Sequence, residues 1–422
     1  MKKMLLLLSL ALLVVLASYG GAAEKVTLPI AVFPDLDGAY EQCLPLFNSE
    51  YPDIEVIINS LGIDDHHAHI VTTIAAGTGA EDVVAVEIAY IAQFVAEGGL
   101  VDLAQAPYNA TDYSHSITPY ALKQATTTDG RLVAMPVDIA PACGFYRRDV
   151  FAENNIDIND IKTLEDLFAA GEIITKDTTG DGRNDHWLLA DAASIYDMII
   201  HSAPELYFDE DGNCQVNSDR FREAFTWAKR FHDAGLAGAI GAWSQEWFAG
   251  FQEGTVAYEP CGAWLGGHLE GWMAPETSGK WGVAPWPALH EGEEPMAGFW
   301  GGSYLAIPEQ SQNKDAAWKF IEFIATNRDS QITAFKATNA FPSWMPAWDD
   351  PMFEEELEFF AGQKARLLWT DIAKAVPGVV TYKYDAIANS IIAAELGMVL
   401  HEDKDIDRAL SDAQRQIERR IR

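Results

Sequence analysis

Alternation of short apolar strands with amphipathic helices over the first hundred residues constrains this chain most. Residues 26–33 (VTLPIAVF) read as a strand, with 35–38 as the loop leaving it. Residues 40–51 have helical periodicity, and Pro52-Asp53 breaks it before a second strand at 54–58. An amphipathic helix at 64–76 stops at Gly77. The run 82–86 (DVVAV) is continuously apolar, as in a parallel strand buried on both faces. A helix at 91–97 follows, closed by Gly98-Gly99. This β-α-β-α-β order is that of an α/β lobe.

At 422 residues the chain is long for one core and suits two domains. Residues 132–139 and 143–147 flank Pro141, which stiffens a crossing strand, and a second lobe begins after it. Its helices include 151–155, 164–170, 220–234 and 245–251, and its strands 255–258 and 281–284. Residues 296–308 are glycine-rich and then strand-like, leading to a strong helix at 314–326; from Pro351 the chain is mostly helical. Within 251–267 (FQEGTVAYEPCGAWLGG), Gly254 stops a helix, TVAY reads as a buried strand, and EPCGAW as a glycine-bracketed turn ending on Trp264. Such a turn delivers side chains to the carboxyl edge of a sheet, where open α/β sheets bind ligands. An indole there offers a flat apolar face to a sugar ring, the alternative being a core position.

The formal charge of −34 argues against nucleic acid or anionic lipid as partners. Lys2 and Lys3, an apolar run at 4–16 and small residues through Ala23 form a secretory signal over residues 1–23. The run is too short for a permanent membrane anchor, so an exported, periplasmic or extracellular product is expected. Cys43, Cys143, Cys214 and Cys261 allow three pairings without any CxxC spacing. If one bridge forms, Cys143 to Cys261 is the expected one; free buried thiols are the alternative.

Asp177, Thr179, Asp181, Arg183 (through its carbonyl) and Asp185 nearly fit a calcium loop, with Gly182 at the sharp turn. Leu188 stands where a bidentate Glu is expected, so structural calcium and a plain acidic turn both remain open. His66, His67 and His69 suggest zinc, but no distant fourth ligand accompanies them. With 63 acidic residues, paired carboxylates occur everywhere and argue little for a glycosidase. No GxSxG, HExxH or phosphate-binding glycine loop is present.

The ordered blocks FNSEYPDIEV, IAAGTGAEDVVAVE, GGLVDL, VAMPVDIAPACGFYRRDVF, FQEGTVAYEPCGAW, WGVAPWP and GGSYLAIPEQSQNKDAAWKFIEFIA resemble the family 1 extracellular solute-binding proteins of ABC-type sugar importers, the maltose-binding protein among them. The resemblance implies a two-lobe periplasmic-binding-protein fold of type II, α/β in class, with hinge strands and a cleft between lobes. Lobe 1 would comprise residues 24–140 plus about 304–348, and lobe 2 residues 141–303 plus about 349–422. It implies a monomeric, non-enzymatic receptor without a required cofactor, which closes on a carbohydrate and delivers it to membrane permease subunits. An exported carbohydrate-active enzyme using cleft carboxylates is the alternative. Ligand contact is carried by resemblance onto Trp264, Trp300, Asp35, Asp37, Glu87, Tyr90, Asp138, Tyr304, Trp344, Tyr382 and Tyr384. Gly144, Gly301 and Gly302 are candidate hinge positions. The chain departs from the family pattern at Arg147 and Arg148, where an arginine could favour an acidic sugar.

Overall fold

β-Branched runs pair side by side and their helices cover both faces. In the computed structural model, which describes residues 25–209, 211–379 and 381–421, β1 (Val26–Val32) leads into α1 (Leu36–Glu50), β2 (Ile54–Ser60), α2 (Ile63–Ala76), β3 (Val83–Glu87) and α3 (Ile88–Glu97). The leader at 1–23 lies outside the described residues. β1 is parallel to both β2 and β3, and Val83 to Val86 are fully buried, as a strand covered on two faces must be. The loop expected at 35–38 is instead mostly the first turn of α1, entered through Asp35 at φ 76°.

After α4 (Pro119–Gln124) comes β4 (Met135–Arg147), a thirteen-residue strand buried everywhere except at Asp138. The second lobe then supplies α5 (Arg148–Glu153), α6 (Leu164–Ile174), α7 (Ala193–His201), α8 (Asp219–Asp233) and α9 (Gln245–Glu253). Thr163 and Asp166 start α6 with a reciprocal capping box. Next come β5 (Tyr258–Gly262), α10 (Trp264–His268), β6 (Trp281–Ala284) and β7 (Gly298–Ala306). The chain ends with α11 (Lys314–Thr326), α12 (Arg328–Thr338), β8 (Phe341–Pro342), α13 (Ala365–Ala375), α14 (Asp385–His401) and α15 (Ile406–Arg420).

The sheet order is β2-β1-β3-β7-β4-β5, with β6 and β8 also paired to β4. β7 joins the halves: it is antiparallel to β3 through Ser303 to Ala306 and to β4 from Gly298 onward. β4 in turn pairs β7 along its first part and β5 and β6 along its last. Two apolar clusters result. One unites the parallel strands with α1, α11 and α12 and continues along β4 to Trp369; the other lies among α6, α7, α8, α14 and α15. The architecture is the two-lobe α/β fold with an open sheet.

Two local expectations are corrected. The strand placed at 255–258 lies at Tyr258–Gly262, so EPCG is strand rather than turn, and Trp264 opens a helix. Pro260 is tolerated there because β5 ends the strand order of the sheet, and prolines within sheets keep to edge strands. Cys143 and Cys261 face each other across β4 and β5, yet all four thiols are free, and Cys143 Sγ accepts a hydrogen bond from the Trp369 indole at 3.2 Å.

At Gly262 β5 passes close to β7. A Cβ there would meet the Trp300 carbonyl oxygen and lie 2.6 Å from Trp264 Nε1. Gly262→Ala should therefore lower unfolding free energy by about 1–3 kcal/mol in urea titration. Gly271→Ala, whose Cβ meets open space, is the control expected to lose nothing.

Candidate functional site

The carboxyl ends of β1 and β3, the middle of β4 and β7, and the start of α10 converge on one cavity of about 540 Å³. One wall carries Phe33, Asp35 and Glu87 and the opposite wall Trp243, Trp264 and His268. Asp138, Trp300, Gly301 and Gly302 form its floor. Past Glu87 and Trp300 a smaller chamber of about 210 Å³ continues to His201, Tyr207, Asp385 and Asn389.

The floor is shaped by an irregularity in β7. Pro141 pairs with Phe299 and Ile139 with Gly302, so three steps along β7 match two along β4, and Trp300-Gly301 bulge from the ladder. Gly301 and Gly302 sit at φ 108° and 136°, which side-chain-bearing residues rarely adopt. The bulge presents the Trp300 carbonyl to Trp264, whose indole Nε1–H donates to it at 2.7 Å. That bond fixes the plane of a half-buried indole. Trp243 lies parallel to it at 5.6 Å between centroids, with 12° between planes. Trp300 meets His201 edge-on at 5.3 Å.

Four carboxyl groups, Asp35, Glu87, Asp138 and Asp385, line the two chambers. Burial raises Glu87 to about 7, aided by the neighbouring Asp138, although the Ala89 backbone N–H donates to its Oε2 at 2.7 Å. Burial likewise raises Asp138 to about 7 against hydrogen bonds from Ser303, and its Oδ2 has no partner. Asp385 is raised to about 7 by burial; its Oδ2 accepts the Tyr382 N–H at 2.6 Å while Oδ1 is unpartnered. Asp35 is raised by burial and stands 3.5 Å from His268 Nε2, which burial lowers. Among the described residues, no lysine or arginine lines either chamber. Such walls accept hydrogen bonds from hydroxyls and repel anions.

Five of the expected contact residues therefore meet at the cavity: Trp264, Trp300, Asp35, Glu87 and Asp138. The other six lie off it. Asp37 is held in the first turn of α1, its Oδ1 accepting from Gly38 N at 2.7 Å. Tyr90 stacks on His67 at 3.9 Å. Tyr304 is buried and donates to Gln124 Oε1 at 2.9 Å. Trp344 packs beside Tyr113, and Tyr382 packs on Phe208 with Tyr384 beside it. Trp243, His268, Asp385 and Asn389 were not anticipated. Only the four-residue spacing from Trp264 to His268, one helical turn, was a usable signal.

The remaining motifs have local partners. In the 177–185 loop, Asp177 accepts from Gly180 N and Gly182 N at 2.6 and 2.7 Å, Asp181 from Arg183 N at 2.9 Å, and Asp185 from Thr178 and Thr179. Thr179 donates to Asp177 at 3.2 Å. His66 reaches the Ala85 carbonyl at 2.7 Å. His67 donates through Nδ1 to Ile63 O and accepts the Glu87 N–H on Nε2, and His69 pairs with Glu81. Among the described residues no group of three or more His, Cys, Asp or Glu is placed to hold a metal. Arg147 is buried against Asp149 and the Phe251 carbonyl, and Arg148 lines a separate groove beside Tyr146. Neither arginine reaches the cavity, which corrects the acidic-sugar expectation.

Comparison with known proteins agrees with this geometry. A family profile described as bacterial extracellular solute-binding protein matches residues 46–361. An arabinooligosaccharide-binding protein of Bacillus subtilis (strain 168) is 24% identical over 374 residues, covering 85% of this chain and 84% of the relative. The crystal structure of an extracellular solute-binding protein of family 1 superposes with TM-score 0.80 at 22% identity, covering 94% and 99% of the two chains. An ABC transporter associated binding protein from B. animalis subsp. lactis Bl-04, in complex with β-1,6-galactobiose, gives 0.76 at 23% identity, covering 93% and 97%.

Buried carboxylates give the fold a pH signature. Glu259 is pushed up to about 8 by burial, with Oε1 accepting from Trp247 Nε1 at 3.2 Å and Oε2 unpartnered. An acid whose pKa is raised in the native state stabilises fully below its unfolded value of about 4.3 and loses that contribution as pH climbs through the folded value. The ligand-free melting temperature should fall from pH 5 to pH 8.5 in calorimetry. Glu259→Gln should flatten that fall.

Proposed function

The chain belongs to the bacterial extracellular solute-binding protein family, and from that premise we propose that it is the exported receptor of an ABC-type carbohydrate importer. It takes a neutral sugar or short oligosaccharide between its lobes and hands it to a membrane permease. The observation that carries this reading is the Trp264 indole, held by the Trp300 carbonyl, in one cavity with Asp138, whose Oδ2 lacks a partner. An indole stacks on the C–H face of a sugar while carboxylates take its hydroxyls in charge-assisted bonds, stronger where water is excluded. The names of the relatives, which bind arabino-oligosaccharide and β-1,6-galactobiose, support the ligand class.

Lobe 1 comprises 24–140 with about 304–348, and lobe 2 the rest, since α11 and α12 pack against α1 and the first strands. β4 and β7 cross between them, and Gly301 and Gly302 absorb the rotation on closure. The sugar bridges the two walls, so it binds the closed state better and shifts the population toward it. The permease reads that state. The product acts as a monomer outside the cytoplasm after removal of residues 1–23, and no helix among the described residues is long and apolar enough to cross a membrane. A carbohydrate-active enzyme loses its support, because the family is one of binding proteins.

Thermal-shift measurements against arabino-, galacto- and malto-oligosaccharides test the reading. A ligand at a hundredfold excess over its Kd adds about 2.7 kcal/mol and raises the melting temperature. Uronic acids should give no shift, and Trp264→Ala should erase any shift found. An unchanged shift in that variant would overturn the assignment. No cofactor takes part in capture, and the 177–185 loop is closed by its own backbone. EDTA should leave the melting temperature in place; a drop restored by calcium would assign the loop to a structural ion instead.

A further inference from the structure

Trp272 lines neither chamber, yet its indole is 54% exposed. It stands eight residues beyond Trp264 with His268 between. Ring centroids are 5.4 Å apart from Trp264 to His268 and 5.6 Å apart from His268 to Trp272. Four residues along an α-helix overshoot a full turn by about 40°. Here α10 ends at His268 and Leu269–Met273 form a π-turn, wider per turn, which takes up the overshoot. The three rings therefore follow one line from cavity to surface. Trp272 Nε1–H donates to His268 Nδ1 at 3.3 Å, and Phe248 supports Trp272 edge-on at 5.4 Å. Beside this line Trp243, also 54% exposed, is held at φ 66°, a strained conformation for a residue with a side chain.

We propose that Trp272, with Trp243 beside it, is an outer carbohydrate subsite carrying the later residues of a linear oligosaccharide whose first residue rests on Trp264. The proposal rests on the sugar reading and adds chain length to it. Three points argue for saccharide rather than protein at this place. The line is continuous with the cavity, its steps are near the length of one sugar unit, and the indoles are propped by ring and hydrogen-bond contacts before any ligand arrives. Pre-formed platforms of this kind lower the cost of ordering a flexible chain.

Titration calorimetry with arabino-oligosaccharides of two to six residues, and malto-oligosaccharides in parallel, tests it on the full mature chain. Affinity of the wild type should rise with length. Trp272→Ala should weaken the longest member about tenfold and leave the disaccharide unaltered. Trp272→Phe should restore most of the difference. Equal weakening at every length, weakening at none, or wild-type affinity independent of length would each overturn the outer subsite while leaving the sugar reading standing. Absence of binding to both series and to galacto-oligosaccharides alike would overturn that reading and the subsite with it. Trp272 is exposed, so an unchanged melting temperature in both variants shows that the loss is not one of folding.

Discussion

One hydrogen bond ties the indole at the cavity edge to the irregular part of β7: Trp264 Nε1–H to the Trp300 carbonyl. An indole at a cavity edge has rotameric freedom and an unsatisfied donor; this bond removes both. Its acceptor is available only because β7 bulges at Trp300-Gly301, freeing a carbonyl that a regular ladder would use. The bulge needs glycines at 301 and 302, and the approach of β5 needs one at 262. The glycines, the bulge and the indole form a single device, in which the irregular segment of β7 orients the ring at the cavity edge.

Electrostatics follow from the same placement. Glu87 and Asp138 sit where β3, β4 and β7 meet, and among the described residues no lysine or arginine lines their cavity. Desolvation raises both groups, with Asp138 adding to the rise of Glu87 and Asp35 to that of Asp138. Asp138 Oδ2 lacks a partner and so keeps acceptor capacity for a hydroxyl hydrogen. The acid-rich composition is thus expressed inside the cleft as well as on the surface.

Much of the framework was legible because local rules and tertiary context agree there. The DVVAV strand, the 314–326 helix and the 281–284 strand lie as read, since apolar continuity and periodicity are their physical cause. The site was legible in part. Trp300 and Tyr304, four apart, should share a strand face, but the bulge turns Trp300 into the cavity while Tyr304 stays in the core. Asp37 reads as a loop residue, yet the helix begins at Leu36 and its carboxylate serves that helix. Tyr382 and Tyr384 look like ligand aromatics, yet the chain delivers Asp385 to the smaller chamber instead. Bulges, strand ends and helix starts shift by one to three residues without a compositional trace, and a shift of one exchanges the faces of a strand.

The sheet order carries a kinetic consequence. β3 is flanked on one side by β7, more than two hundred residues later in the chain, so the first lobe has an open edge until that strand arrives. Long-range pairings of this kind fold slowly, because loop closure precedes any return in contacts. In a chain built this way the sheet of the first lobe is complete only once residues 298–306 are available to pair with β3.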